Sequence, residues 1–82
     1  MITFAVSVKD RAIDAFNTPI FVKAVGEATR SFVDECNNKE SNLNKHPEDF
    51  DLYQVGTFDD STGSFQPCAP KLIARAQDCV KG

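Results

Sequence analysis

Hydrophobic and polar positions alternate over residues 2–8, ITFAVSV. This places Ile2, Phe4, Val6 and Val8 on one side of an extended chain and Thr3, Ala5 and Ser7 on the other. The period of two predicts a half-buried strand. The next stretch, KDRAIDAFNTP, is polar apart from Ile13 and Phe16 and closes on Pro19. It reads as a loop with one helical turn over Ala12 to Phe16, pinned to the core by those two side chains. Residues 20–25, IFVKAV, carry the β-branched and aromatic content of a second strand, which Gly26 is expected to break.

From about Glu27 to Asn37 the period changes. Ala28, Phe32, Val33 and Cys36 recur at helical spacing, so a helix is predicted with those residues as its apolar stripe. On its polar side Arg30 is placed to pair with Glu27 and Asp34. A polar loop, KESNLNKHPED, then leads into a strand from Phe50 to Phe58. Simple alternation there puts Tyr53, Val55 and Thr57 on one face and Leu52, Gln54 and Phe58 on the other. DDSTG reads as a hairpin loop, with Asp59 capping the turn and Gly63 in the left-handed position. SFQP, residues 64–67, returns as a short strand cut off by Pro67. The segment over 71–76 is either a last strand or a short helix. These elements predict an α+β fold: a small, mostly antiparallel β-sheet with one covering α-helix at about residues 27–37.

With 82 residues the chain has room for a single domain, 1–82, and one modest core. Self-association would relieve that thin margin, so a homo-oligomer is expected. Seven phenylalanines supply the large apolar bulk and argue against disorder along the whole chain. The net charge of −3 and pI near 4.9 lack the electrostatic footprint of a dedicated nucleic-acid coat. The opening MITFAVSV is too short and too alternating for a signal sequence or a membrane span, so no membrane partner is expected. Cys36, Cys68 and Cys79 are odd in number and form no CxxC, which reads as three free thiols in a reducing compartment.

Candidate chemistry concentrates in NKHPEDFDLYQVGTFDD, which holds the chain's one histidine and one tyrosine. His46, Glu48, Asp49 and Asp51 invite a metal or acid–base reading. A metal site needs several ligands of defined geometry, and here no HxH, HxxxH or ExxH accompanies the histidine. Acid–base chemistry needs a carboxylate pair perturbed in a pocket, whereas Glu48 and Asp49 read as a solvated turn leading into a strand. The cysteines and serines lack a nucleophile context, and the glycines are scattered rather than gathered in a phosphate loop. No catalytic residue, metal or cofactor is therefore assigned, and a non-enzymatic protein is expected.

The sharper reading is single-stranded nucleic acid. Binders of that kind set exposed aromatics on a sheet face beside Lys or Arg. Lys9, Arg11, Lys23 and Arg30 supply a candidate basic face, and Phe21, Tyr53 and Phe58 the aromatics. Against it stands the need of so short a chain for phenylalanine in its interior, and on that ground the aromatics are assigned to the core.

Four stretches taken in order carry a resemblance: the first strand with VKDRAIDAFNTPIFV, the helix GEATRSFVDECNN, the segment NKHPEDFDLYQVGTFDDSTGSF, and the ending PKLIARAQD. Together they resemble the small nonstructural ORF5-type (or VP5-type) protein of gokushovirus-like microviruses, tailless phages with single-stranded DNA genomes. The similarity spans nearly the whole chain. It implies a protein of the host bacterial cytoplasm, not part of the virion, that acts in viral genome replication or in the switch to single-stranded DNA synthesis and packaging. The partners it implies are single-stranded DNA, or phage or host replication proteins. A host-directed inhibitor is the remaining alternative. The resemblance brings no catalytic residues, and the cysteines are not part of it.

Overall fold

The alternation at the N-terminus forms β1, Ile2–Asp10, the central strand of a computed structural model that describes residues 1–81. β1 pairs antiparallel along its length with β4, Phe50–Asp59, and β4 pairs antiparallel with β5, Ser64–Arg75. The other edge of β1 is shared by two short strands. β2, Ala15–Phe16, pairs with Lys9 and Asp10, and β3, Ile20–Val22, pairs with Phe4 to Val6. The result is a five-stranded antiparallel sheet. One helix, α1, Val25–Cys36, covers one of its faces, and a four-residue helix, α2, Asn42–Lys45, follows it. Among the described residues no helix is long and apolar enough to cross a membrane.

The core lies between α1 and the sheet. Ala28, Phe32 and Cys36 face inward from the helix and meet Val6, Phe50 and Leu52, with Phe4 and Val8 packed around them. The predicted stripe is therefore the buried one, with Val33 half-buried at its margin. The helix starts at Val25, not Glu27, and the strand expected over 20–25 stops at Val22. Gly26 does not break the chain because it falls in the first helical turn, where backbone N–H groups have no intrahelical partner to lose. Glu27 helps fix that start: its carboxylate accepts the backbone N–H of Lys23 at 3.4 Å. Arg30 is exposed and makes no ion pair with Glu27 or Asp34 among the described residues.

Residues 11–16 do not form a helical turn. Asp10 accepts the N–H of Ala12 at 3.0 Å through its side chain, Asp14 takes a left-handed φ of 52°, and the chain returns as β2. Neither expected anchor reaches the core. Ile13 is 69% exposed in the turn, and Phe16, opposite Lys9, faces away from the helix. The 59–63 hairpin forms as expected, with Asp59 accepting the N–H of Ser61 at 2.9 Å and Gly63 at φ 75°.

β5 departs most from the sequence pattern. Pro67 does not end it; the strand runs through Pro67 and Pro70 to Arg75, followed by the short helix α3, Ala76–Cys79. A proline is tolerated there because β5 is an edge strand, where a missing N–H costs no ladder bond. Register slips between Leu52 and Tyr53 and between Gln54 and Gly56 absorb the irregularity. A further irregularity on the β1 side leaves Val55 unpaired, since Ala5 faces Gly56 while Val6 faces Gln54. The extra residue reverses the alternation, as a bulge does. Leu52 and Gln54 face the helix, whereas Phe58 joins Tyr53 on the opposite face.

Gly56 lies opposite Ala5 and Pro67 at this irregularity. A Cβ there would stand 2.6 Å from the Gln66 carbonyl oxygen and 2.8 Å from Cζ of Phe65. Backbone cannot yield as a flexible side chain does, so Gly56→Ala is expected to destabilise the fold by about 1–3 kcal/mol. A lower urea midpoint measures it. Gly26→Ala, whose Cβ meets nothing within 4 Å, is the control and is expected to hold or raise stability.

Candidate functional site

The sheet face turned away from α1 is paved with aromatic side chains. Register brings Thr3, Ala5, Ser7 and Lys9 of β1 to this face, with Phe58, Gly56, Tyr53 and Asp51 of β4 opposite them in turn. Phe21 enters from β3 opposite Ala5, and Phe65 from β5 opposite Phe58. The Phe21 ring lies 5.6 Å from Phe58 and 6.5 Å from Phe65, the latter edge-on. Further along, Phe16 meets Tyr53 edge-on at 5.5 Å. Phe21 is 52% exposed and Phe65 46%, so these rings roof the small residues Ala5, Ser7 and Gly56 while leaving much of their own surface to solvent. The assignment of these aromatics to the core is corrected. Phe32 and Phe50 fill it, and the sheet has a second apolar face that the single helix cannot cover.

At the end of this face Lys9 places its ammonium 5.5 Å from the Phe16 ring centroid and 3.3 Å from Asp14. Beside it, Asp51 is only 1% exposed. Its Oδ2 stands 3.4 Å from Arg11 Nε and 3.4 Å from Arg75 Nη1, and its Oδ1 is buried without a hydrogen-bond partner among the described residues. Arg11 also fastens the turn before β4. Its backbone N–H donates to the Asp49 carbonyl at 2.7 Å, and its guanidinium donates to the Glu48 carbonyl.

The residues read as a basic face are thus divided. Lys9 and Arg11 stand together at one end of the aromatic face. Arg11 is engaged with Asp51, and the exposed Lys23 follows β3. Arg30 sits on the helix, in the layer covering the opposite face. Phe21 and Tyr53 share one face as proposed. Phe16, Phe65 and Arg75 belong with them but escape sequence reading, because Phe16 and Phe65 adjoin turns and Arg75 is joined to Asp51 only by register. The histidine cluster is divided in a similar way. His46, Glu48 and Asp49 bring potential ligand atoms within 4.8 Å of one another on a short 3-10 turn over Pro47–Asp49. Asp51 is turned to the arginines instead. His46 and Glu48 are exposed to solvent.

The family model described as Phage ORF5 protein matches residues 3–79, from the second residue of β1 to the last of α3. The chain belongs to the Phage ORF5 protein family. The match covers both the aromatic face and the Asp51 ion pairs, so both lie within the family's domain. No curated protein matches the chain, and no solved structure matches it.

Proposed function

We propose that this phage protein is a non-enzymatic accessory of viral genome replication, of the microvirus type, that holds single-stranded DNA on the sheet face opposite α1. The observation that carries the reading is the aromatic face itself: Phe16, Phe21, Tyr53, Phe58 and Phe65 on strands β2 to β5 of one sheet, with Lys9 against Phe16. Bases stack on such rings without regard to sequence, and a genome-handling protein needs that tolerance. The net charge of −3 makes stacking, rather than phosphate neutralisation, the main source of affinity. Of the four residues read as a basic face, Arg11 is engaged by Asp51 and Arg30 lies on the helix side; with Lys9 and Lys23 left, about two phosphates are neutralised, which gives a shallow salt slope of about −1.4.

The test is a fluorescence titration of the protein with oligo-dT and with a duplex of equal length at several salt concentrations. Binding to the single strand with a shallow slope is expected. Tyr53→Ala and Phe21→Ala should each weaken it by about 5- to 150-fold, the loss of one stacked base at about 1–3 kcal/mol. Failure of either DNA to bind at low salt overturns the reading. The same exposed apolar face then becomes a contact for a phage or host replication protein or for a second copy of the chain.

A further inference from the structure

Cys36 ends α1 and is fully buried; Cys79 ends α3 and is half-buried. Both belong to the apolar cluster between helix and sheet, where the end of α1 packs against α3. Asn37, next to Cys36, clips the two segments together. Its Nδ2 donates to the Cys79 carbonyl at 3.1 Å, and its Oδ1 accepts the Lys81 N–H at 2.8 Å. One side-chain amide therefore holds the chain on both sides of Val80 against the end of α1. The cysteines are unpaired, and the third, Cys68, lies exposed on β5.

We propose that Cys36 and Cys79 form a redox-active dithiol that closes into an intrachain disulfide in the presence of a low-molecular-weight disulfide, locking α3 onto α1. The roles follow from access. Cys79 is reachable from solvent, so it loses its proton to water and its thiolate attacks the small disulfide. A Cys79–small-thiol bond forms, the small disulfide's S–S bond breaks, and one small thiolate leaves and takes up a proton. Burial, reinforced by the neighbouring Cys79, pushes the Cys36 thiol up to about 11, so Cys36 waits in its protonated form. As Cys36 attacks Cys79 Sγ, its proton passes to the second small thiolate, which leaves as a thiol. Overall, two protein thiols are oxidised to one disulfide and one small disulfide is reduced to two thiols.

Closure ties the helix layer to the end of β5, because α3 follows Arg75 directly. The loop it closes spans most of the second half of the chain, so it restricts the unfolded state strongly. The experiment treats the reduced protein, and its Cys68→Ser variant, with oxidised glutathione at pH 8. Readouts are thiol titration, non-reducing peptide mapping and thermal unfolding. Expected are the loss of two thiols in Cys68→Ser, a Cys36–Cys79 crosslinked peptide, and a rise in Tm of at least about 8 °C, all abolished by Cys79→Ser. Thiols persisting at Cys36 and Cys79, or a crosslink formed with no rise in Tm, would overturn the proposal.

Discussion

Replacing Arg11 and Arg75 together by alanine is expected to lower the unfolding free energy by about 3–5 kcal/mol, the cost of leaving a buried charge without compensation. For a chain of 82 residues whose total stability is on the order of 4–12 kcal/mol, that is a large share. Asp51 is almost wholly removed from water, and its Oδ1 has no partner among the described residues. All its compensation enters through Oδ2, from two guanidinium groups at 3.4 Å. Each arginine keeps more than a third of its side chain in solvent, so each pair alone is partly screened. A single replacement leaves the other cation in place and should cost about 1–2 kcal/mol. The double replacement should exceed the sum of the singles, because only then is the carboxylate stranded. Urea unfolding of the two single variants and the double variant closes the cycle. A double variant within 1 kcal/mol of the parent would show that the carboxylate finds other compensation. Adding Asp51→Leu to the double variant should restore much of the loss, since apolar replacement of a whole buried ion cluster is often neutral.

The second large effect is expected at Phe32. Phe32→Ala should cost about 3–5 kcal/mol, seen as a fall in Tm of more than about 12 °C. Phe32 is 4% exposed and is the largest side chain α1 sends into the core, where Val6 and Leu52 receive it. It also lines a cleft of about 360 Å³ between α1, β1 and the segment before β3. Truncation there widens an existing space instead of letting the walls close on it, which puts the cost in the upper part of the range for such changes. Phe21→Ala is the informative comparison. Phe21 is of the same residue type but stands on the open face of the sheet, so its removal should change stability by no more than about 1 kcal/mol. If the two replacements cost the same, the division between a core layer and a free aromatic face is wrong.

That division is where sequence and tertiary structure part company. The helix was legible because Ala28, Phe32 and Cys36 repeat at its period and face one side. β1 was legible because its alternation is uninterrupted, and the 59–63 turn because Asp59 and Gly63 are the residues such a turn requires. The boundaries around Gly26 were not legible, since a glycine in a first helical turn and a glycine ending a strand look alike in one dimension. The candidate site was half legible. Phe21 and Tyr53 were named for it, yet the same residues were assigned to the core, and composition cannot separate a phenylalanine beneath a helix from one on the bare side of a sheet.

The amino-acid sequence by itself determined the first strand, the helix and the 59–63 turn, the α+β class, the helix face that is buried and the kinship with the Phage ORF5 proteins, because each rests on local period or on ordered short motifs. Only the tertiary structure decided which face of the sheet stays open. One unpaired residue at Val55 turns Phe58 to the side of Tyr53, and slips along β5 bring Phe65 and Arg75 to the same side. Such changes of register are set by pairing between distant strands. A one-residue change moves every later side chain to the other face, and no local pattern records it.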